Sequence, residues 1–275
     1  MSAQLTPQEI SERLYRYDRI SDKYAGLHEI TEDKVKEYLA MGYLAVEGVL
    51  DSAEVKHAID ALMDMVFVDT KGALLQFSKP EKELWTNEER ELAVRKVSRF
   101  VENDDRLKHI AYHPDILKTV ELLLGESPKL VQDMALLKPP MGGGEKPWHQ
   151  DMAYGPLAFN KPVIGVWIAL DDADLDNGCM HVLPGSHADG ATPHYAVRDW
   201  QLCDSHIAVE EDVAIPLKSG GLMFFHGLIK HGTPYNLSAK RRRALQFHYV
   251  GQSAVKLTPQ EYKRIFTNEM TGAEC

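Results

Sequence analysis

Apolar residues along this chain change their spacing near residue 125. Before that point they recur every three or four positions. Asp51-Ser52-Ala53-Glu54 reads as a capped helix start, and Val55, Ile59, Leu62 and Val66 follow on one helical face. A helix over about residues 31–41 should stop at Gly42, which suits a left-handed C-cap, and "YLAVEGVL" beyond it reads as a strand. Another helix opens at Pro114, turns Ile116, Val120 and Leu123 inward, and stops at Gly125. Thr6-Pro7-Gln8-Glu9 is a further start, and its letters LTPQE recur at 257–261, predicting a C-terminal helix over about 258–270. Nothing around the two copies matches, so one capping chemistry used twice explains them better than a repeat. The segment 69–95 is polar and weakly patterned and reads as a helix-containing loop.

From about residue 130 short β-rich runs take over: "LVQDMALLK", "VIGVWIALDD", "CMHVLP", "VAIPL", "GLMFFH" and "RALQFHYV". Pro139-Pro140, Asn177-Gly178 (read as a type I′ turn), Pro184-Gly185 and Gly220-Gly221 separate them. Many short strands without intervening helices predict an antiparallel sandwich or barrel. No linker divides the halves. The expectation is one α+β domain over 1–275, with a mainly helical part (1–125), a strand core (about 130–250) and helices buttressing one sheet.

The 275 residues are 44% hydrophobic, enough for a packed core. A formal charge of -10 and a pI near 5.6 argue against nucleic acid as partner and favour a small-molecule substrate. Three cysteines, Cys179, Cys203 and Cys275, have no paired spacing, so no disulfide framework or thiolate zinc site is expected. The polar N-terminus lacks a signal-peptide pattern, and no apolar run is long enough for a membrane span. The expectation is a cytoplasmic protein with no membrane partner, acting as a monomer or homodimer.

Chemistry concentrates in "KPWHQDMAYGPL". On an extended segment residues i and i+2 share a face, so His149 and Asp151 can converge. One more histidine would complete a 2-His-1-carboxylate face of the kind that holds Fe(II). Alone, the triplet is weak. Three later histidines compete for the third place: His231 stands before Gly232 at a strand end, His226 ends an apolar strand, and His248 lies within the last strand. Arg242 follows His231 by eleven residues. In KRRR, alternation puts Arg242, Ala244, Gln246 and His248 on one face, where a guanidinium could hold a carboxylate bidentately. The other three basic residues read as a solvated turn.

"LLKPPMGGGEKPWHQDMAYGPL", "GVWIALDDADLDNGCMHVLPGSH" and "FFHGLIKHGTPYNLSAKRRRALQFH" together resemble the phytanoyl-CoA dioxygenase family of Fe(II)/2-oxoglutarate oxygenases. The resemblance spans about 130–250, and "MGYLAVEGVL" fits the family's start. It implies a double-stranded β-helix (jelly roll, cupin-like) with iron at its open end. It implies His149, Asp151 and His231 as ligands, with Arg242 as the clamp for 2-oxoglutarate. Gln132, Met134 and Trp167 fall where members line the cosubstrate pocket, and Tyr154 matches an aromatic that can touch substrate. His181 departs from the family's apolar residue and reads either as facing substrate or as lying on the outer face. His187 reads as structural, and Trp148 as packing under the iron site or at its rim.

The resemblance also implies the reaction. Fe(II), 2-oxoglutarate and O2 would yield succinate, carbon dioxide and a hydroxylated small molecule, with desaturation or cyclisation as variants. Relatives that halogenate have a small residue where this chain has Asp151, which favours hydroxylation. The segments 69–95 and 188–212 are expected to fold over the iron. The second carries His194, Tyr195, Arg198, Trp200 and His206, a mix suited to a polar or anionic substrate, with His194 and Arg198 as its contacts. Two rival readings are a non-oxidative metal enzyme, which leaves Arg242 without a task, and a non-catalytic member that only binds metal or ligand.

Overall fold

In the computed structural model, which describes residues 5–68, 72–270, 272 and 274–275, the helix starts lie where their caps predict. Helices α1 (Pro7–Leu14), α3 (Ser52–Phe67), α4 (Asn87–Ala93) and α7 (Pro259–Phe266) each begin with a reciprocal capping box. Helix α2 (Glu32–Met41) ends on Gly42 at φ 80°, and α6 (Pro114–Leu124) on Gly125 at φ 71°. The short α5 (Asp105–Ala111) is capped by Asp104. Helix α7 stops at Phe266, short of the expected 270, and Thr267 there is extended. Among the described residues no helix is long and apolar enough to cross a membrane.

Two antiparallel sheets face each other. The larger contains β1 (Tyr43–Val46), β2 (Leu74–Phe77), β3 (Val94–Ser98), β4 (Pro128–Lys138), β6 (Val163–Ala169), β11 (Leu222–His226) and β13 (Arg242–Gly251). Their order is β1-β11-β6-β13-β4-β3-β2. The smaller sheet, ordered β10-β7-β12-β5, contains β5 (Lys146–His149), β7 (Met180–Val182), β10 (Val213–Ile215) and β12 (His231–Thr233). A hairpin of β8 (Tyr195–Ala196) and β9 (Trp200–Gln201) lies beside them. This is a double-stranded β-helix core with helices outside.

Strand alternation divides the apolar residues into layers. Outward residues of the larger sheet, including Val166, Ile168, Phe224, Leu245 and Phe247, pack on α2, α3, α5 and α6 in one core. Inward residues Trp167, Met223, Phe225 and Ala244 meet Met180, Val182 and Ile215 of the smaller sheet in a second core. Helix α1 covers the outside of the smaller sheet: Ile10, Leu14 and Tyr15 pack with Trp148, Leu183 and Leu202. Helices therefore buttress both sheets, not one.

Three expectations are corrected. Past 69–71, which lie outside the described residues, the segment 72–95 holds β2, α4 and the start of β3. It extends the larger sheet where a loop was expected. Its strands are too short to show a period, and Leu75, Phe77 and Val97 gain burial only against the helical layer. Asn177-Gly178 is no type I′ turn, because only Gly178 has a positive φ. Asn177 is buried; its Oδ1 accepts from Asp174 N at 2.7 Å and its Nδ2 donates to the Asp172 carbonyl at 2.8 Å. Cys203 and Cys275 form a disulfide across a separation of 72 residues, with Cys179 buried and free. Such a pairing leaves no mark in sequence spacing.

Candidate metal and cosubstrate site

His149 and His231 lie directly opposite each other where β5 pairs with β12, their ring centres 4.2 Å apart. Asp151 opens a short turn just beyond β5. One donor atom from each of the three lies within 4.8 Å of the others, and all three side chains are buried. The His149 Nδ1–H donates to the Pro147 carbonyl at 2.7 Å, and the His231 Nδ1–H to the Ile229 carbonyl at 3.0 Å. Each ring therefore presents an unprotonated Nε2 towards Asp151, the tautomer a divalent metal requires. Burial, reinforced by His149, lowers the His231 pKa to about 3, keeping it neutral. Burial alone would raise the Asp151 pKa, but the hydrogen bond its Oδ2 accepts from His248 favours the ionised form, and the carboxyl stays well below its usual range. The donor set is the imidazole–carboxylate mixture that suits iron.

Asp151 uses its two oxygens differently. Oδ1 lies 3.3 Å from His149 Nε2 and 3.7 Å from His231 Nε2. Oδ2 accepts from Gln246 Nε2 at 2.9 Å and from His248 Nε2 at 2.8 Å. The intervening Gln150 is fully buried and faces away from the site. Its amide donates to the Gly190 and Leu228 carbonyls and accepts from Thr192 N. Its backbone N–H donates to His194 Nε2 at 2.9 Å. The motif is thus locked on both sides.

The inward face of β13 leads from this cluster to Arg242. His248 pairs with Gln132 and Gly165, Gln246 with Met134 and Trp167, Ala244 with Leu136 and Ala169, and Arg242 with Lys138. The Arg242 guanidinium is buried 5.4 Å over the Trp167 ring, and its Nε and Nη1 have no protein partner; Trp167 Nε1 and Gln132 Oε1 are likewise buried and unpartnered. Burial lowers the Arg242 pKa to about 10, so it remains cationic at neutral pH. A buried cation with unused donors is costly unless a ligand completes it, and a carboxylate fits that fork. The other members of KRRR pair outward: Lys240 with Asp174, Arg241 with Glu91, Arg243 with Asp171.

Of the residues expected at the substrate, Tyr154 lies edge-on to His149 at 5.7 Å, and its hydroxyl donates to the Trp200 carbonyl at 3.0 Å. His194 is buried nearby with both ring nitrogens used, Nδ1–H donating to the Thr192 carbonyl at 2.8 Å. It supports the motif's backbone. His181 shares a face with Gly232, opposite to His231, and points outward against Tyr15 and Tyr17. Its Nδ1 lies 2.8 Å from Asp212 Oδ2. Arg198 is committed to Glu145 and Asp204. Trp148 stacks on Tyr15 at 5.4 Å and donates to the Leu14 carbonyl, so it belongs to the outer layer. His226 and His187 lie against each other with tilted rings, 5.0 Å between centres, His187 donating to the Leu39 carbonyl.

Sequence reasoning missed the roles of Gln246 and His248, and missed Lys96 and Lys146 altogether. Gln246 and His248 were placed on the Arg242 face by alternation, but nothing marked Asp151 as their partner. Lys96 shares that inward face through its pairing with Leu136, and its ammonium has no ion-pair or hydrogen-bond partner among the described residues. Burial and then Lys146 lower its pKa, while Asp151 opposes them. Lys146 donates to Tyr154 Oη and Asp199. Lone lysines carry no signal in a sequence, and only the facing of the two sheets brings the charge of Lys146 to bear on Lys96.

A family profile described as phytanoyl-CoA dioxygenase (PhyH) matches residues 38–244. A rat protein described as "Phytanoyl-CoA dioxygenase domain-containing protein 1" is 32% identical over 168 residues, covering 57% of this chain and 57% of its own length. A protein of Oryza sativa subsp. japonica described as "Phytanoyl-CoA dioxygenase 1" is 26% identical over 267 residues, 85% of this chain and 93% of its own. The chain spans 57% of the rat relative and 50% of a bovine peroxisomal phytanoyl-CoA dioxygenase. Among solved structures, EvdO2 from Micromonospora carbonacea var. aurantiaca, complexed with 2-oxoglutarate, superposes with a TM-score of 0.64 at 20% identity over 85% of this chain and 96% of that one. The non-heme alpha ketoglutarate dependent carbocyclase SnoK gives 0.65 at 20% identity, over 89% and 94%. These two likenesses establish a shared fold.

Proposed function

The chain belongs to the phytanoyl-CoA dioxygenase (PhyH) family, and on that premise we propose that it is an Fe(II)- and 2-oxoglutarate-dependent dioxygenase hydroxylating a C–H bond of a small polar or anionic metabolite. One observation carries the reading: a buried guanidinium with unused donors shares the inward face of β13 with the partners of a buried His-Asp-His set. Bound iron would supply the oxidative chemistry, using O2 and 2-oxoglutarate and releasing succinate and carbon dioxide.

The chain's own residues bind, orient and exclude water. His149 and His231 would hold the metal through Nε2 and Asp151 through its carboxylate. Arg242, with Trp167 Nε1, would take the distal carboxylate of 2-oxoglutarate between the apolar Met134, Leu136 and Ala244. Lys96 puts positive charge near the site of an acidic protein, whereas Lys146 is paired with Asp199, and the unpaired ammonium favours an anionic substrate. Tyr154 stands beside His149, where a substrate ring or chain could rest.

Hydrolysis or isomerisation at the same three ligands would leave Arg242 without a role, and buried unpaired charge is not kept cheaply. The test is succinate release from iron-loaded protein with 2-oxoglutarate and oxygen, with and without small carboxylates and phosphates. His149→Ala and Arg242→Ala should each abolish turnover. Turnover that survives either change, or that proceeds without 2-oxoglutarate, rejects the reading.

A further inference from the structure

We propose that Gln246 and His248 fix Asp151 as a one-oxygen metal ligand and thereby keep a coordination position open; the inference rests on reading the triad as a metal centre. An ionised carboxylate can chelate through both oxygens or bind through one. Here the choice is built into β13. Gln246 and His248, two residues apart and so on the same face, both aim at Oδ2, at 2.9 and 2.8 Å. Their nitrogens lie 3.1 Å from each other because they converge on one acceptor. A carboxylate oxygen accepts, so the amide NH2 of Gln246 and the Nε2–H of His248 are the donors. His248 Nδ1 is then the unprotonated nitrogen, buried and without a partner. Oδ1 takes no such bond and faces the Nε2 atoms of His149 and His231.

The geometry is braced. Phe225 packs against His231 at 5.0 Å and against His248 at 6.2 Å, ring centre to ring centre. The ring can occupy that place because β6 offers Gly165 there: a Cβ on Gly165 would fall 2.1 Å from Phe225 Cζ. Met134 and Trp167 flank Gln246 on the neighbouring strands. Turning Oδ2 towards the metal would strip both donors of their acceptor in a buried site, at the cost of unsatisfied polar groups. Two imidazoles and one oxygen leave three places of an octahedron, enough for a chelating 2-oxo acid and one more ligand. A two-oxygen Asp151 would consume the last of them.

The test uses the full chain loaded with Mn(II) for crystallography and with Co(II) for titration. In the wild type Asp151 should place Oδ1 alone on Mn(II), with Oδ2 on Gln246 and His248. In Gln246→Leu/His248→Phe both oxygens should contact the metal. The affinity of the Co(II) protein for 2-oxoglutarate should then fall at least tenfold. A merely structural role for the pair would lower thermal stability without changing which oxygens bind. Should the double variant not fold, Gln246→Leu alone is expected to weaken 2-oxoglutarate binding at least threefold. Two bound oxygens in the wild type, one bound oxygen in the double variant, or unchanged 2-oxoglutarate affinity in a folded variant overturns the proposal. Failure of the wild type to bind Co(II) overturns the metal reading itself, a separate and earlier result.

Discussion

Arg242 lies 5.4 Å over the ring of Trp167, and both residues keep buried N–H donors without a protein partner. In the proposed reading these donors would hold a planar anion. Hydrogen bonds to charged groups contribute about 1.5–3 kcal/mol each. Arg242→Lys, which keeps a charge but loses the fork, should therefore weaken 2-oxoglutarate binding at least tenfold in a calorimetric titration of the Co(II) protein. Trp167→Phe, which removes one donor and keeps the ring, should have a smaller effect in the same direction. Equal binding by Arg242→Lys would show that the fork is not the anchor.

Gly165 gives Phe225 the room to brace two histidines. Gly165→Ala introduces a Cβ against the centre of a packed sheet, where overpacking costs about 1–3 kcal/mol. Urea unfolding of the apo protein should register that loss. Metal titration should show weaker binding as well, because the displaced ring contacts His231. A variant with wild-type stability would mean that the ring moves freely and braces nothing.

His194 accepts the backbone N–H of Gln150 between two proposed ligands, and burial lowers its pKa to about 3. His194→Leu leaves that buried N–H without an acceptor, at about 1–3 kcal/mol. The expected result is a lower unfolding midpoint together with reduced Co(II) affinity. His194→Gln, which can still offer an acceptor, should recover part of both. No change in Co(II) affinity would separate His194 from the site.

His181 makes stability depend on pH on the alkaline side. Burial opposes its charge, but the hydrogen bond to Asp212, helped by Cys179, prevails and raises its pKa to about 9. In the unfolded chain an imidazole titrates at about 6.5. A pKa raised on folding gives stabilisation that is complete below about 6.5 and is lost as pH rises through about 9. Unfolding free energies measured across that window should fall with a slope on the order of 1.4 kcal/mol per pH unit, a few kcal/mol in all. In His181→Gln the slope should flatten; an equal slope would place the dependence elsewhere.

Much of this protein is set by local rules that a sequence displays. A capping box needs a hydroxyl or carboxylate and a glutamate three residues on, so α1, α3 and α7 begin where their letters say. Alternation places His149 and Asp151 together, separates Arg242 from Arg241 and Arg243, and puts Gln246 and His248 on the Arg242 face. Residue type left three histidines competing for the third place, and the resemblance of three ordered blocks to the family is what implied His231 as ligand and Arg242 as clamp.

Tertiary structure decided what those faces look at. His181 and His231 are both strand histidines, yet one faces Tyr15 and the other the triad, because a β-strand has two sides and its sequence does not say which is inside. Trp148, Arg198 and His194 carried site-like chemistry but answered to neighbours more than 40 residues away in the chain. Gln246 and His248 found Asp151 across 95 and 97 residues. Local sequence determines conformation through bonds a few residues long; partners across a sheet or between layers are chosen by packing, which no short window contains.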